Sequence, residues 1–169
     1  SKGRIWVFGN QSRAVIIDTK VHLIYELSSK FESNGNFEVL ETNDGIFWLD
    51  NGGVGYDIID LEENSIRQFR LEDGLLGKYT GPAYQDHDGL IWLGTINGIN
   101  IIDVKGGTNV RMAEGTIPES EEIFTFTTDD KGRLWMGGQT GLYNQGPSFI
   151  NAWRTELNKV AENEPLHLS

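Results

Sequence analysis

The sequence predicts an all-β fold assembled from several copies of one small antiparallel sheet. Three observations lead to this prediction: a Gly-x-x-Trp segment occurs four times, successive copies lie 42, 44 and 43 residues apart, and β-branched and aromatic runs alternate with Asn-Gly and Asp-Gly turns. Four strands in a period of this length are typical of β-propeller blades, so we expect about four blades of an incomplete or partial propeller. Solenoid repeats, the main alternative, have other periods or lack two hairpin turns per unit. The repeated tryptophans are Trp6, Trp48, Trp92 and Trp135.

Glycine and tryptophan have different predicted roles within each repeat. The glycine closes the hairpin that leads into the second strand, because a tight turn needs a positive φ that glycine adopts without strain. The tryptophan is expected to pack between adjacent blades. We assign the hairpin role to Gly45, Gly89 and Gly132.

The third repeat shows the complete strand pattern. Its turns are predicted at residues 86–89 and 96–98, where Asp-Gly and Asn-Gly pairs favour hairpins. A shared Ile-Ile-Asp run ends the third strand of the repeats, and the fourth repeat has Gly141-Leu142-Tyr143 in its place. The four predicted strands of the third repeat are Gly81–Gln85, Leu90–Thr95, Ile99–Asp103 and Asn109–Ala113.

The period divides the chain into four repeats and a tail. We place the repeats at about 1–31, 32–75, 76–118 and 119–147, and the tail at 148–169. Apolar tail residues recur every three or four positions, which is typical of an amphipathic helix. A last strand of the fourth blade, from Phe149 to Trp153, also fits this segment.

Composition excludes several classes of partner. The 169 residues include 14 Lys and Arg against 25 Asp and Glu, a formal net charge of −11, which disfavours binding to a nucleic-acid backbone. Without cysteine there is no disulfide, no thiolate metal site and no cysteine nucleophile. Uncharged apolar runs reach only about ten residues, too few to span a bilayer. We therefore expect no nucleic-acid partner and no membrane contact by this segment.

The third and fourth repeats carry a motif that resembles a known family. Residues 86–99 read Asp-His-Asp-Gly-Leu-Ile-Trp-Leu-Gly-Thr-Ile-Asn-Gly-Ile, and residues 129–142 keep the pattern. This run resembles the two-component regulator propeller repeat, found in extracytoplasmic sensor regions of hybrid two-component systems, especially in gut Bacteroidetes. Residues 72–76, Glu-Asp-Gly-Leu-Leu, are similar to the lead-in loop of that family. Repeats 1 and 2 depart from the pattern at residues 8–10 and 50–52, where Gly-Thr is usual.

The resemblance implies a function and a larger ring. It implies a periplasmic or extracytoplasmic ligand-sensing module, without catalysis of its own, that contributes to signal transduction in carbohydrate sensing. Rings of this family usually contain about seven blades, which need roughly 300 residues. Because this chain supplies four repeats and opens on the second strand of a blade, we expect self-association or completion by further blades.

Candidate ligand-binding residues lie in loops that share one face of a propeller. Loops that join one blade to the next converge there with the loops after each second strand, and ligand sites are common in such positions. If the ligand is an oligosaccharide, aromatic rings would cover its C–H surfaces and amides would bind its hydroxyls. Each candidate also fits an ordinary exposed loop residue, and a protein–protein interaction scaffold is the alternative function. The candidates are Phe31, Asn51, Tyr79, Asn97 and Gln139.

A metal site is not expected. Asp86 and Asp88 resemble the start of a calcium loop, but Ile91 and Asn97 stand where an EF-hand needs glycine and glutamate. A hairpin turn is the prediction for this segment, and we expect no cofactor.

Two classes of propeller enzyme are weighed and set aside. The sialidase-type glycosidases contain turns like residues 130–135, but they need carboxylate and Arg groups that converge at one centre, and the arginines here follow no repeat register. Streptogramin lyases have a similar Gly-x-Ile-Trp repeat and use His with metal-bound carboxylates. Here His22, His87 and His167 lie in a strand-like stretch, a turn and the tail. We therefore predict no catalytic residues.

Overall fold

A computed structural model describes residues 5–8, 12–17, 20–26, 38–50, 55–77, 80–105, 108–111 and 122–145. The expected all-β fold is confirmed, since these residues form four antiparallel sheets whose strands are hydrogen-bonded in chain order. We name the sheets blades 1 to 4 in the same order. The tail at 148–169 lies outside the described residues.

Blades 1 and 2 contain three and four strands among the described residues. In both, the strand that carries the repeated tryptophan pairs with the next strand along the chain. Blade 1 consists of β1 (Ile5–Phe8), β2 (Ser12–Ile17) and β3 (Lys20–Glu26). Blade 2 consists of β4 (Val39–Glu41), β5 (Phe47–Asp50), β6 (Tyr56–Asp60) and β7 (Ser65–Phe69).

Blades 3 and 4 follow after a single 3-10 turn, Leu71–Asp73. The strands of blade 3 agree with the sequence-based prediction to within one or two residues at each end, since β-branched runs and Gly-containing turns alternate so regularly there. Blade 3 consists of β8 (Thr80–Gln85), β9 (Ile91–Thr95), β10 (Gly98–Asp103) and β11 (Thr108–Arg111). Blade 4 consists of β12 (Ile123–Thr128), β13 (Leu134–Gly138) and β14 (Leu142–Gln145).

The predicted hairpin glycines have the conformation that their role requires. Gly45, Gly89 and Gly132 have φ of +87°, +91° and +71°, values that side-chain-bearing residues rarely adopt. The amide N–H groups of Gly89 and Gly132 donate to the carbonyl oxygens of Asp86 and Asp129, at 3.1 and 3.0 Å. Each glycine therefore closes the turn between the first and second strands of its blade.

An aspartate holds both this turn and the tryptophan in blades 3 and 4. The carboxylate of Asp86 accepts hydrogen bonds from the backbone N–H of Leu90 and from the indole N–H of Trp92, both at 3.0 Å. Asp129 does the same for the amide of Arg133 and the indole of Trp135, at 2.9 Å each. Blade 2 has Thr42 at the equivalent place, and its hydroxyl accepts the amide of Ile46 at 3.0 Å.

The hydrophobic core consists of the layers between neighbouring blades, which we call junctions. At the first junction Trp6 meets Phe47 edge-on, with ring centroids 5.0 Å apart. The second and third junctions are fully buried, and Trp48 and Trp92 are 1% and 0% exposed. The predicted inter-blade packing of the tryptophans is thus seen directly at these places. Trp48 packs with Tyr56, Ile58, Ile91 and Leu93, and Trp92 packs with Ile99, Ile101, Ile123, Leu134 and Met136.

Blades approach each other most closely near the start of β8. A Cβ atom on Gly81 would lie 2.5 Å from the carbonyl oxygen of Ile123 in blade 4, so only glycine fits there. From the other side, the Tyr56 hydroxyl of blade 2 donates to the Gly81 carbonyl at 2.8 Å and also contacts the Gly94 carbonyl at 3.3 Å. Blade 3 is therefore held between its two neighbours by direct contacts at one end of its first strand.

Candidate functional site

The structure describes only some of the loops that form the predicted ligand face. Phe31, Asn51 and Tyr79 lie outside the described residues, as do the loops at 28–36 and 114–121. Three loops remain on this face: residues 70–77 between blades 2 and 3, residues 94–98 after β9, and residues 137–141 after β13. We call this set the loop face.

The loop at 70–77 is fixed at its start by a buried ion pair. The guanidinium of Arg70 lies 2.6 Å from the carboxylate of Asp57 and donates to the carbonyl oxygen of Tyr56 at 2.7 Å. The Arg70 backbone N–H donates to the Asp73 carboxylate at 2.8 Å, which closes the 3-10 turn. Gly74 then ends this turn with φ of +100°. The loop therefore follows a defined path before it reaches blade 3.

The end of the same loop is fixed by Asn100 in β10. The amide oxygen of Asn100 accepts the Leu76 N–H at 2.9 Å, and its amide nitrogen donates to the Gly74 carbonyl at 3.0 Å. Asn100 is fully buried, so both bonds are shielded from water. Leu75, between the two bonded residues, is 2% exposed and packs into the second junction.

Asn97, a candidate ligand residue, lies next to this loop. It is exposed in the turn between β9 and β10, and its side-chain amide donates to the Leu76 carbonyl at 3.3 Å. Its backbone N–H donates to the Thr95 hydroxyl at 3.1 Å, which holds the turn in shape. One amide N–H and the amide oxygen remain available for other hydrogen bonds.

Gln139, the second candidate within the described residues, lies in the turn after β13. Its side chain is exposed, and its backbone N–H donates to the Glu122 carbonyl at 3.0 Å. The turn closes through a bond of 2.8 Å from the Gly138 N–H to the Gly141 carbonyl. The structure therefore holds the Gln139 backbone in place and leaves its amide facing solvent.

Acidic groups surround Tyr56 below the loop face. Asp50 pairs with Tyr56 across β5 and β6, and the Asp50 backbone N–H donates to the Glu38 carbonyl at 3.1 Å. Burial, with the nearby charges of Asp50 and Glu38, raises the pKa of the Tyr56 phenol well above its usual value. Burial also raises the pKa of the Glu38 carboxyl. The Tyr56 hydroxyl is therefore a permanent hydrogen-bond donor across the second junction.

Sequence reasoning missed the residues that position the loop. Asp57 and Asn100 are polar positions inside the buried runs Tyr56–Asp60 and Gly98–Asp103, where a period-2 pattern assigns a polar residue between two apolar ones to the solvent-facing side of the strand. A polar side chain within such a run is the signal that could have identified them, because buried polar groups need partners.

The turn at 86–88 lies at the opposite end of blade 3 from the loop face. Asp86, His87 and Asp88 could bring three ligand atoms within 4.8 Å of one another. The Asp86 carboxylate, however, already accepts hydrogen bonds from the Asp88 and Leu90 amides and from the Trp92 indole. His87 is exposed and its Nε2 lies 3.0 Å from the Asp88 carboxylate. The hydrogen bonds to the Asp86 carboxylate are those of a closed hairpin turn.

Comparisons with known proteins identify the fold. No protein-family model and no curated protein matches the sequence. Two similar structures are extracellular domains of hybrid two-component systems from B. thetaiotaomicron, with TM-scores of 0.69 and 0.63 and 20% identity in both cases. They cover 90% and 85% of this chain, which spans 21% of each domain.

A third similar structure is an enzyme. It is a catalytically inactive variant of virginiamycin B lyase from Staphylococcus aureus with quinupristin, with a TM-score of 0.63 and 17% identity. The match covers 88% of this chain and 50% of the lyase. No helix within the described ranges is long and apolar enough to cross a membrane. The chain thus shares its fold with extracellular domains of two-component systems and with a lyase.

Proposed function

We propose that this chain is a non-catalytic, ligand-sensing propeller segment of an extracytoplasmic two-component sensor, and that it binds an oligosaccharide or a similar ligand on the loop face. Two independent lines support this proposal. The motif at residues 86–99 resembles the repeat of such sensors, and two sensor extracellular domains share the fold over most of the chain. We accordingly place the segment in the periplasm or outside the cell.

The observation that carries the proposal is the anchoring of the loop at 70–77. Asp57 pairs with the Arg70 side chain at the start of the loop and Asn100 bonds the loop backbone at Gly74 and Leu76, while Leu71 and Glu72 remain exposed. Fixing a loop before a ligand arrives lowers the entropy cost of binding. An apolar side chain and a carboxylate on this loop, with the amide of Asn97 next to Leu76 at its other end, suit a ligand that has both C–H surfaces and hydroxyl groups.

A binding screen with matched variants tests the proposal. The chain is titrated by calorimetry with oligosaccharides selected on a glycan array, and the best binder is measured again with Gln139→Ala and Asn97→Ala. Each loss of an amide is expected to weaken binding by about tenfold, the effect of one hydrogen bond. Gln68→Ala in β7 and Asn43→Ala in the hairpin at the other end of blade 2 are the controls, and both should bind as the unmodified chain does.

A protein scaffold is the alternative function. If no sugar binds and a protein partner is recovered through the loop face, with the same two variants reducing its capture, the scaffold replaces the sensor. In that case the exposed residues of the loop face would contact a protein surface in place of a sugar.

The structural likeness to virginiamycin B lyase motivates a separate test for an enzyme. His87, the histidine whose side chain is described, lies at the end of blade 3 that is remote from the loop face. We expect quinupristin to remain unchanged in mass after incubation with the chain. A product formed at a rate that depends on the amount of protein would establish catalysis and overturn the non-catalytic proposal.

A further inference from the structure

Arg67, in the edge strand β7 of blade 2, carries a positive charge that the described part of the structure leaves unpaired. Three arginine side chains are described, and the other two are bound to carboxylates: Arg70 to Asp57 at 2.6 Å and Arg133 to Asp129 at 2.7 Å. The Arg67 guanidinium makes no ion pair and no hydrogen bond with any described residue. In a chain with 25 acidic residues, an arginine without a carboxylate is an exception that requires a physical reason.

The strand holds this guanidinium in a defined position. Arg67 stands opposite Ile58 of β6, which is 1% exposed, and the Arg67 Nε is itself buried with no acceptor for its N–H. The side chain as a whole is only partly buried, and its terminal nitrogens Nη1 and Nη2 are neither bonded nor fully enclosed. They form the open end of a planar, permanently charged fork. The base of the fork is therefore packed against the blade while its two tips are accessible.

The neighbouring polar groups of blade 2 do not bind Arg67. Ser65 lies two residues earlier on the same face of β7, and its hydroxyl is also buried without a partner. Asp60 pairs with Ser65 across the hairpin, but its Oδ1 accepts the backbone N–H groups of Glu62 and Glu63 at 2.8 and 3.0 Å. That carboxylate closes its own turn. Within the described ranges, two buried polar groups on one short stretch of β7 are thus left without a bonding partner.

We propose that Arg67 is the centre of a binding site for a carboxylate, whose two oxygens accept hydrogen bonds from Nη1 and Nη2. The planar fork of a guanidinium matches the two oxygens of a carboxylate, and such charge-assisted pairs are among the stronger hydrogen bonds. A carboxylate fits better than a phosphate because Glu62 and Glu63, exposed in the turn before β7, repel a dianion more strongly than a monoanion. The site lies on the edge strand of blade 2 and is independent of the function proposed for the loop face.

A carboxylate reaches this site either on a small molecule or on an acidic side chain of another protein. The net charge of −11 opposes the approach of any anion, so a single carboxylate should bind weakly, with a dissociation constant of about 10 mM. An acidic peptide gains additional contacts, because the edge of β7 presents backbone groups that can pair with an extended segment. Binding of acetate and of a peptide therefore distinguishes the two sources.

Titration of the ¹⁵N-labelled 169-residue chain with sodium acetate, at an ionic strength held constant with chloride, tests the site by nuclear magnetic resonance. The arginine Nε–H signal that disappears in Arg67→Lys belongs to Arg67, and in the unmodified chain it should shift and saturate. Arg67→Lys keeps the charge but lacks the fork, so acetate affinity, followed through the backbone signals of Ile66 and Gln68, should fall at least about tenfold. Arg133→Met, which removes an arginine already paired with Asp129, should bind acetate as the unmodified chain does.

Three further probes complete the test: neutral acetamide, inorganic phosphate, and a hexapeptide with one central glutamate and both ends blocked. Acetamide should cause no saturable shift. A glutamate peptide that binds at least about tenfold more tightly than acetate, while its glutamine counterpart does not bind, assigns the carboxylate to a protein; equal affinities assign it to a small molecule. An Arg67 signal that saturates with neither acetate nor the glutamate peptide overturns the proposal. Tighter binding of phosphate than of acetate, or binding of the glutamine peptide equal to that of the glutamate peptide, contradicts the carboxylate assignment.

Discussion

Trp92 and Trp135 occupy the same position in successive blades, yet only one of them is fully buried. Each indole N–H donates to the aspartate six residues before it, at 3.0 and 2.9 Å. Trp92 is 0% exposed because blade 4 covers it, whereas Trp135 is only half-buried. The hydrogen bond is local to the blade and the burial comes from the neighbouring blade. Local motif and junction packing are therefore separate contributions to stability.

Replacing the two tryptophans separates these contributions most strongly. Trp92→Ala removes a side chain from a closed junction and should lower the free energy of unfolding by about 4 kcal/mol. Trp135→Ala removes the same hydrogen bond but less packing, and we expect about half that loss or less. Urea denaturation followed by circular dichroism measures both. Equal losses would show that burial by the neighbouring blade contributes little.

Replacing Asp86, the hairpin aspartate of blade 3, should have the next largest effect on the free energy of unfolding. Asp86→Ala leaves the buried Leu90 N–H and Trp92 indole N–H without their acceptor, which should cost about 3 kcal/mol. Asp88→Ala, two residues away, removes an exposed carboxylate beside His87 and should change stability by less than about 0.5 kcal/mol. If the two variants unfold at the same urea concentration, the Asp86 carboxylate does not hold the hairpin as described.

The Tyr56 hydroxyl, which crosses the second junction, should have a smaller effect. Tyr56→Phe removes the donor to the carbonyls of Gly81 and Gly94 without changing the ring, at an expected cost of about 1 kcal/mol. Tyr143→Phe removes a hydroxyl whose partner, the Thr140 hydroxyl 2.7 Å away, is exposed, and should be close to neutral. Thermal unfolding of the pair measures the difference, and a neutral Tyr56→Phe would mean that this bond adds nothing to the junction.

Asp129, in the turn between the first two strands of blade 4, should make the free energy of unfolding depend on pH. The Trp135 indole N–H, helped by N–H groups of Arg133 and Lys131, holds the pKa of Asp129 well below its usual value. A lowered folded-state pKa stabilises the fold above the unfolded value of about 3.9, and this contribution is lost as the pH falls toward the folded value.

Asp129→Asn should therefore lose less stability than the unmodified chain between about pH 4 and pH 2. Urea midpoints measured across this interval provide the test. Parallel curves for the two proteins would show that ionised Asp129 has no special role in the folded state.

Much of the fold could be predicted from sequence because its signals are local. Gly89 closes one hairpin and the indole N–H of Trp92 bonds within the same hairpin, and turn residues alternating with β-branched runs locate the strands. The ion pair of Arg70 with Asp57 and the bond from Asn100 to the loop join residues 13 to 26 positions apart, so no local pattern shows them. Asn97 was predicted from its turn, but its contact with the Leu76 carbonyl depends on the preceding blade.

The central claim is that the repeated tryptophans fill junctions between radially arranged blades. The chain contains two methionines, Met112 and Met136, so selective methyl labelling gives a spectrum with two signals. Met136 and Trp92 belong to different blades and share one buried cluster. The account predicts a nuclear Overhauser effect between the Met136 methyl group and the Trp92 indole ring, lost in Trp92→Leu. A Met136 methyl with no contact to that indole in the folded protein would contradict the propeller junction.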